Sequence, residues 1–152
     1  MQKIENILNK NKNVGLDTML FIYLFENNEK YSDICEFIFG RIEKGLNIGI
    51  VSNLPLFEFL VGKYKADSKI SSKKYVDIFL NMPNLKMFYP NTIILDYAAK
   101  IRAKYATRSM DSICYATSKV VDADIFITND KDLLKIKDKK AKPKVIILEE
   151  YL

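Results

Sequence analysis

The chain has 152 residues, 49% hydrophobic and 28% charged, with a formal net charge of +5, which suits one domain with a proper core and excludes a disordered chain. It has no histidine and only two cysteines, Cys35 and Cys114, which excludes Ser-His-Asp and Cys-His catalysis and zinc held by histidine or thiolate. No apolar run reaches the roughly 20 residues of a membrane helix and the Met-Gln-Lys-Ile-Glu-Asn start carries no signal region, so a reducing cytoplasm is the expected location and both cysteines are read as buried, inert thiols.

Residues 2–12 are polar, with Ile4, Ile7 and Leu8 at helical spacing, and read as a short leading helix. Val14–Asp17 reads as a first strand and Thr18–Phe25 as a helix apolar on nearly all sides, hence buried. Ser32 is expected to cap a helix over Asp33–Lys44, with Ile34, Phe37, Ile38 and Ile42 inward and Gly45 as its stop. Leu46–Ser52 is a second strand, and Ser52 or Asn53 caps a helix through Leu56–Tyr64 with Pro55 in its first turn. Residues 66–72 read as a polar link, Lys73–Asn81 as a helix that Pro83 breaks, and Leu85–Tyr89 as a short strand. Thr92–Tyr105 is amphipathic, and Asp111–Val121 follows with Ser109 as its expected cap. Asp124–Thr128 and Val145–Leu148 are the last two strands. Short β-branched strands alternating with helices predict a three-layer α/β/α sandwich around a mainly parallel sheet of four to five strands, with residues 1–152 as one domain.

In such a sheet the crossovers are right-handed and the strand ends share one rim, where open α/β folds place their sites. Four acidic residues come to that rim. Asp17 and Asp130 follow strands directly, Asp111 opens a helix, and Glu58 lies early in the helix after the second strand. Glu58 sits in the otherwise apolar stretch Leu54–Val61, where a carboxylate is costly unless it faces water or a cation. Carboxylates crowded on one rim repel each other unless a cation joins them, and Mg²⁺ or Mn²⁺ prefers such oxygen donors. A basic exterior around an acidic rim suits a polyanionic substrate. Thr18 beside Asp17, and Thr128 and Asn129 beside Asp130, offer supporting hydroxyl and amide groups.

These residues carry a resemblance. Gly15–Tyr23 resembles the opening of a PIN-domain ribonuclease, and Val51–Leu60 resembles that family's second motif, in which Ser52 is followed six positions later by Glu58. Asp96–Tyr105 with Met110–Thr117 resembles the third motif, and Ile127–Leu133 the fourth, so the likeness runs from residue 13 to 148. It implies a Mg²⁺- or Mn²⁺-dependent endoribonuclease in which Asp17, Glu58, Asp111 and Asp130 hold the metal and a metal-activated water attacks the RNA phosphodiester. The compact form is similar to VapC-type toxins, which a cognate antitoxin holds in check. Two features depart from the pattern: the stretch before Asp17 is longer than in many such toxins, and Met110-Asp111-Ser112 stands where Pro-Asp-Ala is common.

Plainer readings stand beside these. On these, Asp17 is only a cap or turn residue, Asp111 a helix-start acid and Asp130 an Asx-turn residue. Asp132 either assists the metal or only begins the short helix Leu133–Ile136, and the second is favoured. Asp96 and Lys100 suit a helix-surface ion pair. Arg102 and Arg108 either meet RNA phosphates or are solvated surface charge, the latter favoured, and the lysines from Lys135 to Lys144 are read as a solvated basic loop. A haloacid-dehalogenase-like phosphatase would need a second Asp where Met19 stands, and a Toprim domain, which Asp130-Lys131-Asp132 could suggest, would need a Glu in a glycine-containing turn after the first strand, which this sequence lacks. A non-catalytic binding module on the same fold would be free to lose some of the four acids. The surplus apolar surface of Thr18–Phe25 and Leu56–Tyr64 points to an antitoxin contact, with burial in the domain or in a homodimer as the plainer reading.

Overall fold

The computed structural model describes residues 1–65, 72–136 and 142–152. Helix α1 (Gln2–Lys10) leads into strand β1 (Asn13–Leu16), helices α2 (Thr18–Phe25) and α3 (Ser32–Glu43), and strand β2 (Ile48–Ser52). Helices α4 (Leu54–Lys65) and α5 (Ser72–Asn81) precede strand β3 (Leu85–Phe88), and α6 (Thr92–Tyr105) and α7 (Ser109–Val120) precede β4 (Ile125–Thr128). A 3₁₀ turn over Lys131–Lys135, strand β5 (Lys144–Ile147) and a 3₁₀ turn over Leu148–Tyr151 complete the chain. Of the polar link expected at 66–72, only Ser72 falls within the described residues, where it opens α5; Lys137, Lys139 and Lys140 of the basic loop fall outside them.

All five strands are parallel, in the order β3-β2-β1-β4-β5. The sheet is covered on both faces, as the unbroken apolar strands require. Period-two alternation divides the core. Val14, Leu16, Ile125 and Ile127 face one layer with Ile4 and Leu8 of α1, Leu20 and Phe21 of α2, and Ile34, Ile38 and Ile42 of α3. Phe126 faces the other with Ile94, Ala98 and Ile101 of α6 and Cys114, Tyr115 and Ala116 of α7. Gly15 makes this second layer possible, since a Cβ there would lie 2.3 Å from the Ser118 hydroxyl and 2.9 Å from the Phe126 ring. Helix α7 therefore lies directly on β1, with its first turn over the strand's C-terminal end.

Three expectations are corrected. Ser32 does not cap α3 but is its first, buried residue; Tyr31 holds the cap position, and Asn28 Oδ1 accepts from the Lys30 and Tyr31 amides instead. Ser109 does not cap α7 either. It begins the helix after Arg108, and the Ser112 hydroxyl closes the turn by donating to the Arg108 carbonyl at 2.7 Å while meeting Thr107 Oγ1. Helix α2 shows no exposed residue, so its apolar character is accounted for by burial, whereas α4 leaves Phe57 and Tyr64 open at 61% and 71% exposure. Both cysteines are buried and free, and the Cys35 thiol is pushed up to about 12 by burial. Asp96 meets Lys100 at 2.5 Å, as its spacing anticipates.

Candidate active site

The strand order reverses beside β1: the chain runs from β1 outward through β2 to β3, then returns to place β4 on the other side. The crevice between the C-terminal ends of β1 and β4 is the point where folds of this kind bind ligands. Asp17 stands there. It is the first residue after β1 and the cap of α2, accepting from the Thr18 amide at 2.7 Å. Its second oxygen accepts from the Thr128 hydroxyl at the end of β4, in a very short contact. Thr128 Oγ1 also accepts from the Asp130 amide at 2.9 Å, so one buried hydroxyl ties two of the acids to one strand end.

Asp17 is 2% exposed. Burial raises its carboxyl to about 6, with the repulsion of Asp111 and Glu58 adding to the rise, against the hydrogen bonds from Thr128 and Thr18. Asp111, third residue of α7, is also pushed upward, chiefly by burial and further by Asp130, while Arg108 draws it down. The buried Cys114 thiol, one turn further along α7, is raised by burial and by Asp17, Asp111 and Glu58 together. Glu58, half-buried in the first half of α4, therefore shares its field with the same group. The four acids come to one rim from four different elements.

The supporting residues divide. Thr18 and Thr128 hold Asp17 directly. Ser52 is buried and accepts from the Leu54 amide at 3.3 Å, which sets the start of α4 and so the placement of Glu58. Asn129 turns away from the acids, donating to the Tyr23 hydroxyl and accepting from the Glu149 amide. Asp132 is exposed in the first turn of the 3₁₀ helix and pairs with Lys135 at 2.7 Å. Arg102 donates to the Thr107 carbonyl at 3.0 Å. Asn53, just past β2 at the same rim, has a buried Oδ1 with no hydrogen-bond partner among the described residues.

Arg108 is the residue that sequence reasoning undervalued. Its Nε donates to Asp111 at 2.6 Å and its Nη2 lies 3.3 Å from Asp130, so one guanidinium bridges two of the four acids. The available signal was an Arg three positions before an Asp at a helix start, a spacing at which opposite charges meet.

Among the described residues no three acidic or sulfur side chains stand close enough together to hold one cation in their present arrangement. The donor chemistry nevertheless fits a hard divalent ion. The donors are all oxygen, they repel one another, and Asp17 is left with a carboxyl so raised that a nearby cation would be the natural relief.

The model of the PIN domain family matches residues 14–139. No curated protein matches the chain. Among solved structures, a chain of a toxin–antitoxin complex from Klebsiella pneumoniae is similar with a TM-score of 0.61 and 19% identity, over 90% of this chain and 98% of that one. A chain of VapBC2 from Rickettsia felis, bound to a DNA fragment from the promoter, is similar with a TM-score of 0.63 and 17% identity, over 88% and 96%. At such identities these two likenesses speak to the fold, and the family match spans most of the sequence, including Asp17, Glu58, Asp111 and Asp130. The chain belongs to the PIN domain family.

Proposed function

We propose that the chain is a Mg²⁺- or Mn²⁺-dependent endoribonuclease and the toxin of a toxin–antitoxin pair, with the whole chain acting as one nuclease domain in the cytoplasm. The observation that carries this reading is the gathering of four carboxylates from four elements at the switch point of the sheet, with Asp17 raised to about 6. Asp17, Glu58, Asp111 and Asp130 would hold the cation. Bound there, it supplies a lowered pKa for water and positive charge for a phosphate oxygen. Thr128 fixes the orientation of Asp17 and the loop of Asp130, and the α2 amide at Thr18 steadies the ionised form of Asp17.

The net charge of +5 favours a polyanion outside this acidic rim. Tyr89 follows β3 at the same rim and is 69% exposed, a free aromatic face on which an unpaired base can stack. Single-stranded RNA is the substrate class these features suit. The toxin assignment draws on the two structural neighbours, which are toxin–antitoxin complexes. In this reading an antitoxin places an Arg or Lys among the four acids and covers the exposed α4 flank at Phe57 and Tyr64, while a homodimer is the other expected assembly.

Incubation of a generic single-stranded RNA with the protein, with Mn²⁺ and with EDTA, tests the enzyme. Internal cleavage that requires the metal and disappears in Asp17→Asn is the expected result. Intact RNA under both conditions would leave a binding module. Co-expression with the small protein encoded alongside tests the partner: a stable complex lacking cleavage is expected, and an active complex would favour an RNA-processing nuclease instead.

A further inference from the structure

Four acids share the rim, and one side of the cluster contains a cation of the chain's own. Arg108 stands at the cap position of α7, with its side chain 75% exposed while that of Asp111 is 10% exposed. Its Nε takes one oxygen of Asp111 at 2.6 Å, and its Nη2 reaches the corresponding oxygen of Asp130 at 3.3 Å. The guanidinium is thus a planar fork laid across two carboxylates that arise on different elements, α7 and the turn after β4. Among the described residues its side-chain hydrogen bonds go to these two acids alone, and the side chain is mostly exposed. The backbone of the residue is held separately, through the Ser112 hydroxyl and amide on its carbonyl.

We propose that Arg108 is a resident counter-ion of the rim, which a divalent cation displaces, and which then takes a phosphate oxygen of the bound strand. The inference rests on the nuclease reading. A divalent ion and a guanidinium cannot both neutralise the same oxygens of Asp111 and Asp130, so cation entry releases the fork. The released group remains within a side chain's length of the acids, in solvent, and retains its charge and its two-pronged geometry. Arg108 is then a positioning residue twice over: it pairs with two ligands without metal, and it holds substrate once metal is present.

Calorimetry of Mn²⁺ binding to the RNA-free protein separates this role from a merely structural one. Arg108→Ala removes the competitor, so Mn²⁺ should bind about three- to tenfold more tightly than to the wild type. Arg108→Lys retains the charge without the fork and should fall between the two. With a generic single-stranded RNA, the Arg108→Ala variant should show a raised KM and a salt dependence of RNA binding shallower by about one phosphate contact. Unchanged or weaker Mn²⁺ binding in Arg108→Ala overturns the proposal, as does an unchanged KM. If the wild type cleaves RNA with Mn²⁺ in those cases, the nuclease reading survives alone. If Mn²⁺ binds neither protein, the nuclease reading fails and takes this inference with it.

Discussion

Asp17 and Asp124 are the same residue type at opposite ends of adjacent strands, and they are treated in opposite ways. Asp124 precedes β4 at the N-terminal rim. It is partly buried, but Lys142 at 2.5 Å and the Asn13 amide at 2.9 Å outweigh that burial and draw its carboxyl below the usual range. Asn47 at the same rim is likewise fully engaged, donating to the Leu8 and Asn11 carbonyls and accepting from Arg41. Asp17 at the C-terminal rim is more deeply buried, makes no ion pair among the described residues and faces two further acids, so its carboxyl rises to about 6. One rim is satisfied by the chain itself. The other is left electrostatically incomplete, the arrangement expected where an external cation or substrate completes it.

The largest expected effect concerns chemistry at the C-terminal rim alone. Asp17→Asn, Asp111→Asn or Asp130→Asn should each reduce RNA cleavage at least about a hundredfold, since a cation's charge at the transition state is worth several kcal/mol. Double variants should lose little more, because ligands of one metal act as a unit. Asp124→Asn should cleave at the wild-type rate. A gel assay with radiolabelled RNA reads all of these, and comparable losses at the two rims would erase the distinction.

The next effect is on packing between the rims. Gly15→Ala forces Ser118 and Phe126 apart from β1 and should cost about 1–3 kcal/mol, a fall in melting temperature of several degrees. Because α7 carries Asp111, cleavage should fall more than stability alone explains. Retention of full activity after correction for folded fraction would show that α7 is positioned by other contacts.

A subtler contrast lies in the pH dependence of the metal-free protein. The folded carboxyl of Asp17 lies above its ordinary value of 3.8, so the folded state holds that proton more firmly and stability falls as pH rises from about 4 to about 6, remaining lower above. Asp17→Asn removes the penalty. It should raise the melting temperature at pH 7 by about 5 °C and leave it nearly unchanged at pH 4. Millimolar Mn²⁺ should produce a similar rise in the wild type and none in Asp17→Asn. Thermal melts across that range decide the matter, and a lower midpoint for Asp17→Asn at pH 7 would contradict the crowding.

Asp124 has the reverse sign and the smallest effect. Its folded carboxyl is depressed, so its stabilisation is present above the ordinary value and vanishes as pH falls through the folded one. Asp124→Asn should cost about 1 kcal/mol at pH 7 and progressively less as the pH falls below the ordinary carboxylate range, without changing Mn²⁺ binding. A loss of Mn²⁺ affinity in this variant would place the metal at the wrong rim.

Local chemistry made most of the fold readable in the sequence. The short apolar runs Val14–Leu16 and Ile125–Thr128, the apolar stripe of α3, the stop at Gly45 with φ of +73° and the punctuation by Pro83 depend on neighbours a few residues apart. Both misplaced caps, Ser32 and Ser109, arose because a serine beside a helix start is equally content inside the first turn, where Tyr31 and Arg108 take the cap position by backbone geometry alone. The four acids were legible as strand-end and helix-start residues. What remained hidden was their relation to one another. Residue type and spacing determine that Asp17, Glu58, Asp111 and Asp130 reach one rim, because parallel crossovers repeat the same handedness. Only the tertiary structure decides that Thr128 grips Asp17 across 111 positions, that Asp17 is buried while Asp124 meets Lys142, and that Arg108 bridges Asp111 to Asp130. Burial and charge pairing depend on which distant side chains share a few ångströms, and no local pattern of residues carries that distance.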